Sequence, residues 1–143
     1  TTCVATSNQK IEIPDNKGRN IVLYFYPKDD TPGCTIEGND FSQLNESFSK
    51  KNTVIYGVSR DSISSHEKFK QKFNYTIDLI SDEDESLCNQ FDVIKLKKLY
   101  GKEHLGIVRS TFVISSSGDI LKHWDKVKVA GHAEEVLQFV SGL

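Results

Sequence analysis

A cysteine follows a proline-containing loop at the point where a helical pattern begins. Cys34 lies seven residues after Pro27 and three after Thr31, and the run before the loop, residues 21–26, is apolar and rich in strand-forming residues. A thiol in the first turn of a helix meets unpaired backbone N–H groups and the positive end of the helix dipole, and both favour the thiolate. Because the thiolate is the nucleophilic form of cysteine, the spacing predicts a reactive Cys34, whereas a lone cysteine without this context is most often a small buried hydrophobe.

Thr31 is close enough to donate a hydrogen bond from its hydroxyl to the Cys34 sulfur or to a bound substrate. Threonine is also favoured at a helix N-cap, and the two roles are compatible. Pro27 and Pro32 stiffen the loop and remove N–H donors from it. A thioredoxin-type reductase would carry a cysteine in place of Thr31, so the chain is not expected to act as a Cys-x-x-Cys disulfide reductase.

The elements that must position this thiol alternate as in an α/β protein with helices on both faces of a sheet. In such sheets, sites lie at the carboxyl ends of strands, where the loop before Cys34 falls. The predicted order is strand 21–26, helix 34–50, strand 53–59, a helix opening at 61–65, strand 77–80, a helix to about residue 91 capped by Ser81 or Asp82, strand 110–115, strand 120–124 and helix 133–140.

Two segments show no clear pattern. Residues 1–8 are predicted to be an arm that leads into a first strand near residues 10–13, which places Cys3 on a mobile segment. Residues 93–105 contain several lysines and show no regular spacing of apolar residues, so they are predicted to form a loop over the active-site face.

Composition limits the classes of function. The 143 residues suit one domain, and a net charge of -2 gives no electrostatic reason to expect a nucleic acid or an anionic membrane as a partner. No apolar run approaches the roughly 20 residues that span a bilayer. Three widely spaced cysteines do not form a disulfide framework, which favours a reducing compartment such as the cytoplasm. The sequence starts without methionine, so the earlier removal of a targeting segment remains an alternative.

The frame Pro27-x-x-x-Thr31-x-x-Cys34 resembles the active-site motif of the peroxiredoxins, and residues 24–35 resemble their Q-type, or bacterioferritin comigratory protein, branch. The resemblance runs from about residue 11 to the C-terminus, with further matches at residues 79–82, 90–93 and 106–114. It implies one domain over residues 1–143 with a thioredoxin-like α/β fold, in which a central mixed sheet is flanked by helices.

The same resemblance implies roles for two more side chains. Arg109 precedes the strand 110–115, where a surface arginine is usually just solvated; the resemblance places its guanidinium at the cysteine sulfur, where it would stabilise the thiolate and hold a peroxide oxygen. Glu37 could be an ordinary first-turn acid that complements the helix dipole, and the resemblance adds the role of orienting the arginine.

The activity that the resemblance implies is a thiol peroxidase. Cys34 would attack hydrogen peroxide or an organic hydroperoxide and become a sulfenic acid, which thioredoxin, glutaredoxin or a small thiol would reduce. No metal or organic cofactor is required, and Q-type relatives are commonly monomers. The alternative is a non-catalytic thioredoxin-fold redox sensor or binding module.

The chain departs from many Q-type sequences at the resolving cysteine. Asn39 occupies the position five residues after Cys34, which rules out a disulfide within that helix. Cys88, expected to be buried on another helix, and Cys3 remain as resolving candidates, and each would have to approach Cys34 to within about 7 Å between Cα atoms. A one-cysteine mechanism is favoured.

Metal binding finds little support in the sequence. The acidic run at residues 82–85 is expected at a helix start because acids complement the dipole. The four histidines, His66, His104, His123 and His132, show no spacing typical of metal ligands.

Overall fold

The computed structural model describes the backbone of residues 1–143 and every side chain except that of Leu99. Its elements are β1 (Thr2–Ala5), β2 (Gln9–Glu12), β3 (Asn20–Phe25), α1 (Pro32–Ser49), β4 (Thr53–Ser59), α2 (Ile63–Phe73), β5 (Asp78–Ser81), α3 (Ser86–Gln90), β6 (Ile94–Leu99), β7 (Lys102–Ile107), β8 (Ser110–Ile114), β9 (Ile120–Trp124) and α4 (His132–Ser141).

Seven of the strands form one mixed sheet in the order β2-β1-β5-β4-β3-β8-β9. The three strands β3, β4 and β5 run parallel to one another, and β8 pairs with β3 in the antiparallel direction. The apolar run that precedes the cysteine loop is therefore the central strand, buried on both faces, as its lack of polar side chains predicts. The predicted α/β class with a central mixed sheet is confirmed.

Alternate residues of β3 face two separate hydrophobic cores. Val22 and Tyr24 contribute to one core, which contains Cys34 and apolar side chains of α1, α2 and α4; we call it the α1 core. Phe25 contributes to the other, which contains Cys88 of α3 and residues of β1; we call it the α3 core. Burying a large apolar side chain contributes about 1.5–3 kcal/mol, so both cores stabilise the strand that leads to the site.

The N-terminal segment is a strand, and the prediction of a mobile arm is wrong. β1 pairs with β2 on one side and with β5 on the other, so it lies inside the sheet. Its residues alternate between exposed and buried, and Cys3 is 8% exposed. A four-residue strand gives a period of two over only two buried positions, which is too short a signal to separate from a polar arm.

The predicted loop at residues 93–105 is also wrong, because this segment forms the antiparallel hairpin β6–β7. Tyr100 and Gly101 connect the two strands, and both have a positive φ, 52° and 77°. Two central residues with positive φ are typical of the tight turns whose twist matches that of a hairpin. Among the described residues, no helix combines the length and the apolar character that crossing a bilayer requires.

Candidate active site

Cys34 lies in the first turn of α1, directly after the carboxyl end of β3. Thr31 is the N-cap residue, with an extended backbone, and Pro32 occupies the first helical position, where its missing N–H removes no helical hydrogen bond. The side chain of Cys34 is 2% exposed, within the α1 core. The loop and the helix start thus present a nearly buried thiol at the positive end of an 18-residue helix.

Arg109 reaches this thiol from the connection between β7 and β8. Antiparallel pairing places Ser110 of β8 opposite Phe25, the last residue of β3, and so brings Arg109 to the end of the strand that precedes the cysteine loop. Arg109 Nη2 donates to Cys34 Sγ at 3.3 Å. A Cβ atom on Gly33 would lie 3.2 Å from the same Nη2, so glycine leaves room for the guanidinium.

Glu37 fixes the other arm of the guanidinium. Arg109 Nη1 donates to Glu37 Oε1 at 2.6 Å, and Glu37 is only 1% exposed. Burial raises the pKa of Glu37 to about 7, although Arg109 acts in the opposite direction. Burial lowers the pKa of Arg109, yet the neighbouring Glu37 and Cys34 raise it overall, so the guanidinium is charged at every physiological pH. The predicted meeting of Cys34, Arg109 and Glu37 is present in the structure.

Thr31 makes a different hydrogen bond from the predicted one to sulfur. Its hydroxyl donates to the backbone carbonyl of Lys28 at 2.8 Å. Since a hydroxyl has one proton and two acceptor lone pairs, Thr31 can still accept a hydrogen bond from the O–H of a bound molecule. The Tyr26 N–H donates to the Val58 carbonyl and so extends the pairing of β3 with β4 by one residue. Pro27 follows directly. Because proline has no N–H, the strand pairing cannot continue and the loop begins there.

The other two cysteines are not brought to the site. Cys3 and Cys88 lie in the α3 core, on the opposite face of the sheet from Cys34, and all three thiols are free. Burial raises the pKa of Cys3 to about 11 and raises that of Cys88 further, with Asp82 adding to the effect in both. Both therefore stay protonated near neutral pH and are poor nucleophiles.

The helix that carries Cys88 begins later than predicted, at Ser86, and its N-cap residue is Glu85, not the predicted Ser81 or Asp82. Asp82 nevertheless bonds to the first turn of this helix. The carboxylate of Asp82 accepts hydrogen bonds from the backbone N–H groups of Leu87 and Cys88, at 3.0 Å and 2.8 Å. Acceptors for the first-turn donors of a helix stabilise it, so the acidic run at residues 82–85 has a structural role here.

Sequence reasoning missed a polar cluster under the loop, formed by the buried residues Asp29 and His66 and the half-buried Asp61. Each residue offers one atom of a type that can ligate a metal ion, and these three atoms lie within 4.8 Å of one another. These atoms already bond to one another or to neighbouring donors: Asp61 accepts from Ser59 Oγ and from the Asp29 N–H, and Asp29 accepts from Ser65 Oγ and contacts His66. The cluster is thus a closed hydrogen-bond network. Its one sequence signal was the position of Asp29 between Pro27 and Thr31.

Comparison with known proteins identifies consistent relatives. Residues 2–123 match the AhpC/TSA family. The chain is 56% identical over 120 residues to peroxiredoxin Bcp of Xanthomonas campestris, covering 84% of this chain and 75% of that protein. It is 52% identical over 130 residues to peroxiredoxin Bcp of Bacillus subtilis, covering 91% and 83%.

Solved structures give the same result for the fold. A structure of peroxiredoxin Q from Xanthomonas campestris superimposes with a TM-score of 0.94 at 47% identity, over 99% of this chain and 90% of that one. Trapped intermediate and ligand complexes of the bacterioferritin comigratory protein from the same organism, which address its alkyl peroxide reduction activity, superimpose equally well, with a TM-score of 0.94 at 46% identity and the same coverage. The thioredoxin-like fold that the resemblance implies is confirmed by these superpositions.

Proposed function

The chain belongs to the AhpC/TSA family and is a peroxiredoxin, and we propose that Cys34 is the thiol that its hydroperoxide substrate oxidises. The observation that carries this assignment is the guanidinium of Arg109, which contacts Cys34 Sγ with one nitrogen while Glu37 fixes the other. A fixed cation at the sulfur stabilises the thiolate and leaves N–H donors for an oxygen bound beside it. The names of the relatives favour a peroxidase over the non-catalytic redox sensor or binding module.

In the proposed reaction, the Cys34 thiolate attacks the terminal oxygen of the hydroperoxide. The S–O bond forms as the O–O bond breaks, the sulfur is oxidised to the sulfenic state and the peroxide is reduced to an alcohol or to water. Arg109 stabilises the negative charge that develops on the two oxygens, and the Thr31 hydroxyl accepts the hydrogen bond of the peroxide O–H. The proton of the peroxide ends on the leaving oxygen or on the sulfenate.

The proposal includes a one-cysteine mechanism. Cys3 and Cys88 lie on the far face of the sheet and are protonated near neutral pH, so neither is placed to form a disulfide with Cys34. The sulfenic acid would therefore condense with an external thiol, releasing water, and a second thiol would release the reduced enzyme as the donor forms a disulfide. Thioredoxin, glutaredoxin or a small thiol fits this role.

Two further parts of the proposal concern the setting. Three free cysteines favour a reducing compartment such as the cytoplasm. The protein is proposed to act as a monomer, which size-exclusion chromatography with light scattering would test through a mass near 16.1 kDa.

The deciding experiment is intact mass spectrometry with peptide mapping after one equivalent of hydrogen peroxide, in the presence of a sulfenic-acid trap. We expect one trap adduct, confined to the peptide that contains Cys34, and none in Cys34→Ser. A loss of two hydrogens with a cross-link from Cys34 to Cys88 or Cys3 would contradict the one-cysteine mechanism. Full steady-state turnover by Cys34→Ser would contradict the assignment of the nucleophile.

A further inference from the structure

The loop that carries Thr31 is bonded to α2 through one buried carboxylate. Asp29 Oδ1 accepts a hydrogen bond from the Tyr26 hydroxyl at 2.6 Å. Asp29 Oδ2 lies 2.7 Å from both Ser65 Oγ and His66 Nδ1. The Asp29 N–H donates to Asp61 at 2.9 Å, so this residue is held on its backbone and on both carboxylate oxygens.

His66 is the buried partner of Asp29 in this network. Its Nε2 lies 2.9 Å from the backbone carbonyl of Ile80, and a carbonyl can only accept. Its Nδ1 lies 2.7 Å from Oδ2 of the Asp29 carboxyl group. The ring therefore bridges the backbone of β5, through Nε2, and the Asp29 carboxyl group, through Nδ1. Since His66 is 0% exposed, this pair is out of reach of solvent.

The pair is connected to the reacting centre through a short turn. Asp29 lies in the turn formed by residues 28–31. The Thr31 hydroxyl closes this turn by donating to the Lys28 carbonyl. Asp30, which follows Asp29 in the chain, has a left-handed φ of 56°. Its carboxylate accepts a hydrogen bond from Lys72 of α2 at 2.8 Å. A displacement of Asp29 would move the turn, and with it the hydroxyl proposed to bind the peroxide.

We propose that His66 is a positioning residue of the peroxidase site: its buried ring holds Asp29, and through it the turn that bears Thr31, in the place that peroxide binding needs. The proposal rests on the assigned role of Cys34. It does not involve the sulfur directly, because the sulfur is contacted by Arg109, which comes from the connection between β7 and β8. Loss of the contact between His66 and Asp29 should therefore impair the reaction with peroxide and leave the intrinsic reactivity of the Cys34 thiolate unchanged.

The test compares two reactions of the same sulfur in His66→Gln and Asp29→Asn. The first is the second-order rate constant for Cys34 with hydrogen peroxide, and the second is its rate of alkylation by iodoacetamide, which needs the thiolate but no bound peroxide. We expect a 10- to 100-fold loss with peroxide, since small displacements of positioning groups cost up to about 10²-fold, and less than a twofold change in alkylation.

A matched control is His132→Gln, which changes a second buried histidine, on α4, bonded to the Thr111 hydroxyl. It should leave the ratio of the two rate constants as in the parent protein. If His66→Gln lowers only the melting temperature and keeps that ratio, the role of His66 is structural and the proposal is overturned.

A milder variant keeps the test decisive where His66→Gln does not fold. Ser65→Ala removes one donor to Asp29 Oδ2 without leaving a buried charge unpaired, and we expect it to lower the peroxide rate about threefold at an unchanged alkylation rate. An unchanged ratio in folded Ser65→Ala would also overturn the proposal. Failure of the assigned role of Cys34 is distinguishable, because trap adducts would then be absent from Cys34 in the parent protein.

Discussion

Glu37 and Arg109 lie 72 residues apart in the chain, and Arg109 Nη1 is 2.6 Å from Glu37 Oε1 in a site that solvent barely reaches. This contact leaves the second guanidinium nitrogen aimed at Cys34. Glu37 Oε2 has no hydrogen-bond partner among the described side chains, so Glu37 contacts the guanidinium through one oxygen only. Glu37 Oε1 thus anchors the guanidinium and sets where its other nitrogen points.

Replacing Arg109 should lower the rate of the chemical step. Arg109→Ala removes the donor to the sulfur and to the developing oxyanion, and we expect the second-order rate constant with hydrogen peroxide to fall about 10²- to 10³-fold, as for the loss of one preorganised donor elsewhere. Arg109→Lys should recover only part of the loss, because an ammonium group lacks the rigid fork that contacts Glu37 and Cys34 together. Stopped-flow mixing of the reduced protein with peroxide measures both. Equal rates for Arg109→Ala and the parent protein would refute the role.

Glu37 should make stability fall as the pH rises. In the unfolded chain a glutamate ionises near its ordinary pKa of 4.5, whereas burial raises the pKa of Glu37 in the folded protein to about 7. Between these values the unfolded state releases a proton that the folded state retains, so the free energy of unfolding decreases with pH, by at most about 1.4 kcal/mol per unit, and levels off above pH 7.

Glu37→Gln removes this titration. We expect its free energy of unfolding, relative to the parent protein, to rise by roughly 1–3 kcal/mol between about pH 5 and pH 7 and then to stay level. Urea unfolding at about pH 5, 6, 7 and 8 provides the comparison, with Glu134→Gln on the exposed side of α4 as the control. A constant difference across this range would show that Glu37 is ionised throughout.

Local spacing was enough to place Cys34 and Thr31 together, since both belong to one strand, loop and helix junction. Arg109 and Glu37 came from the resemblance alone. Their contact depends on the register between β3 and β8, which no pattern in the sequence specifies. The hydrogen bond from Thr31 to Lys28 was missed for a related reason, because it requires the actual path of the loop.

The errors in the fold share a physical cause. β1 is four residues long, and it becomes a strand because β2 and β5 supply hydrogen bonds on both sides. The hairpin β6–β7 carries mixed polar and apolar residues whose pairing is set by the turn at Tyr100 and Gly101. In both segments tertiary pairing outweighs a weak local propensity.

Thr31 should act through its hydroxyl and not through its shape. Thr31→Val keeps the branched side chain but removes the acceptor for the peroxide O–H and the donor to Lys28, and we expect the peroxide rate constant to fall about 10- to 100-fold, because leaving a buried hydrogen-bonding group without its partner costs about 1–3 kcal/mol. Thr31→Ser should retain most of the rate. Competition kinetics against a second peroxidase measures the three proteins together. A serine variant as slow as the valine variant would point to packing instead.

Gly38 should resist replacement because α1 packs tightly there, one turn after Cys34. A Cβ atom at this position would lie 2.6 Å from Cζ of the Tyr75 ring, whose hydroxyl donates to the Thr35 carbonyl. Alanine gains about 1 kcal/mol in helix propensity over glycine, but overpacking in a core costs about 1–3 kcal/mol, and a clash with a buried ring favours the upper part of that range. We therefore expect Gly38→Ala to destabilise the protein by about 1–2 kcal/mol in urea unfolding. Gly142→Ala, whose Cβ would make only ordinary contacts at 3.6 Å and beyond, is the control and should be close to neutral.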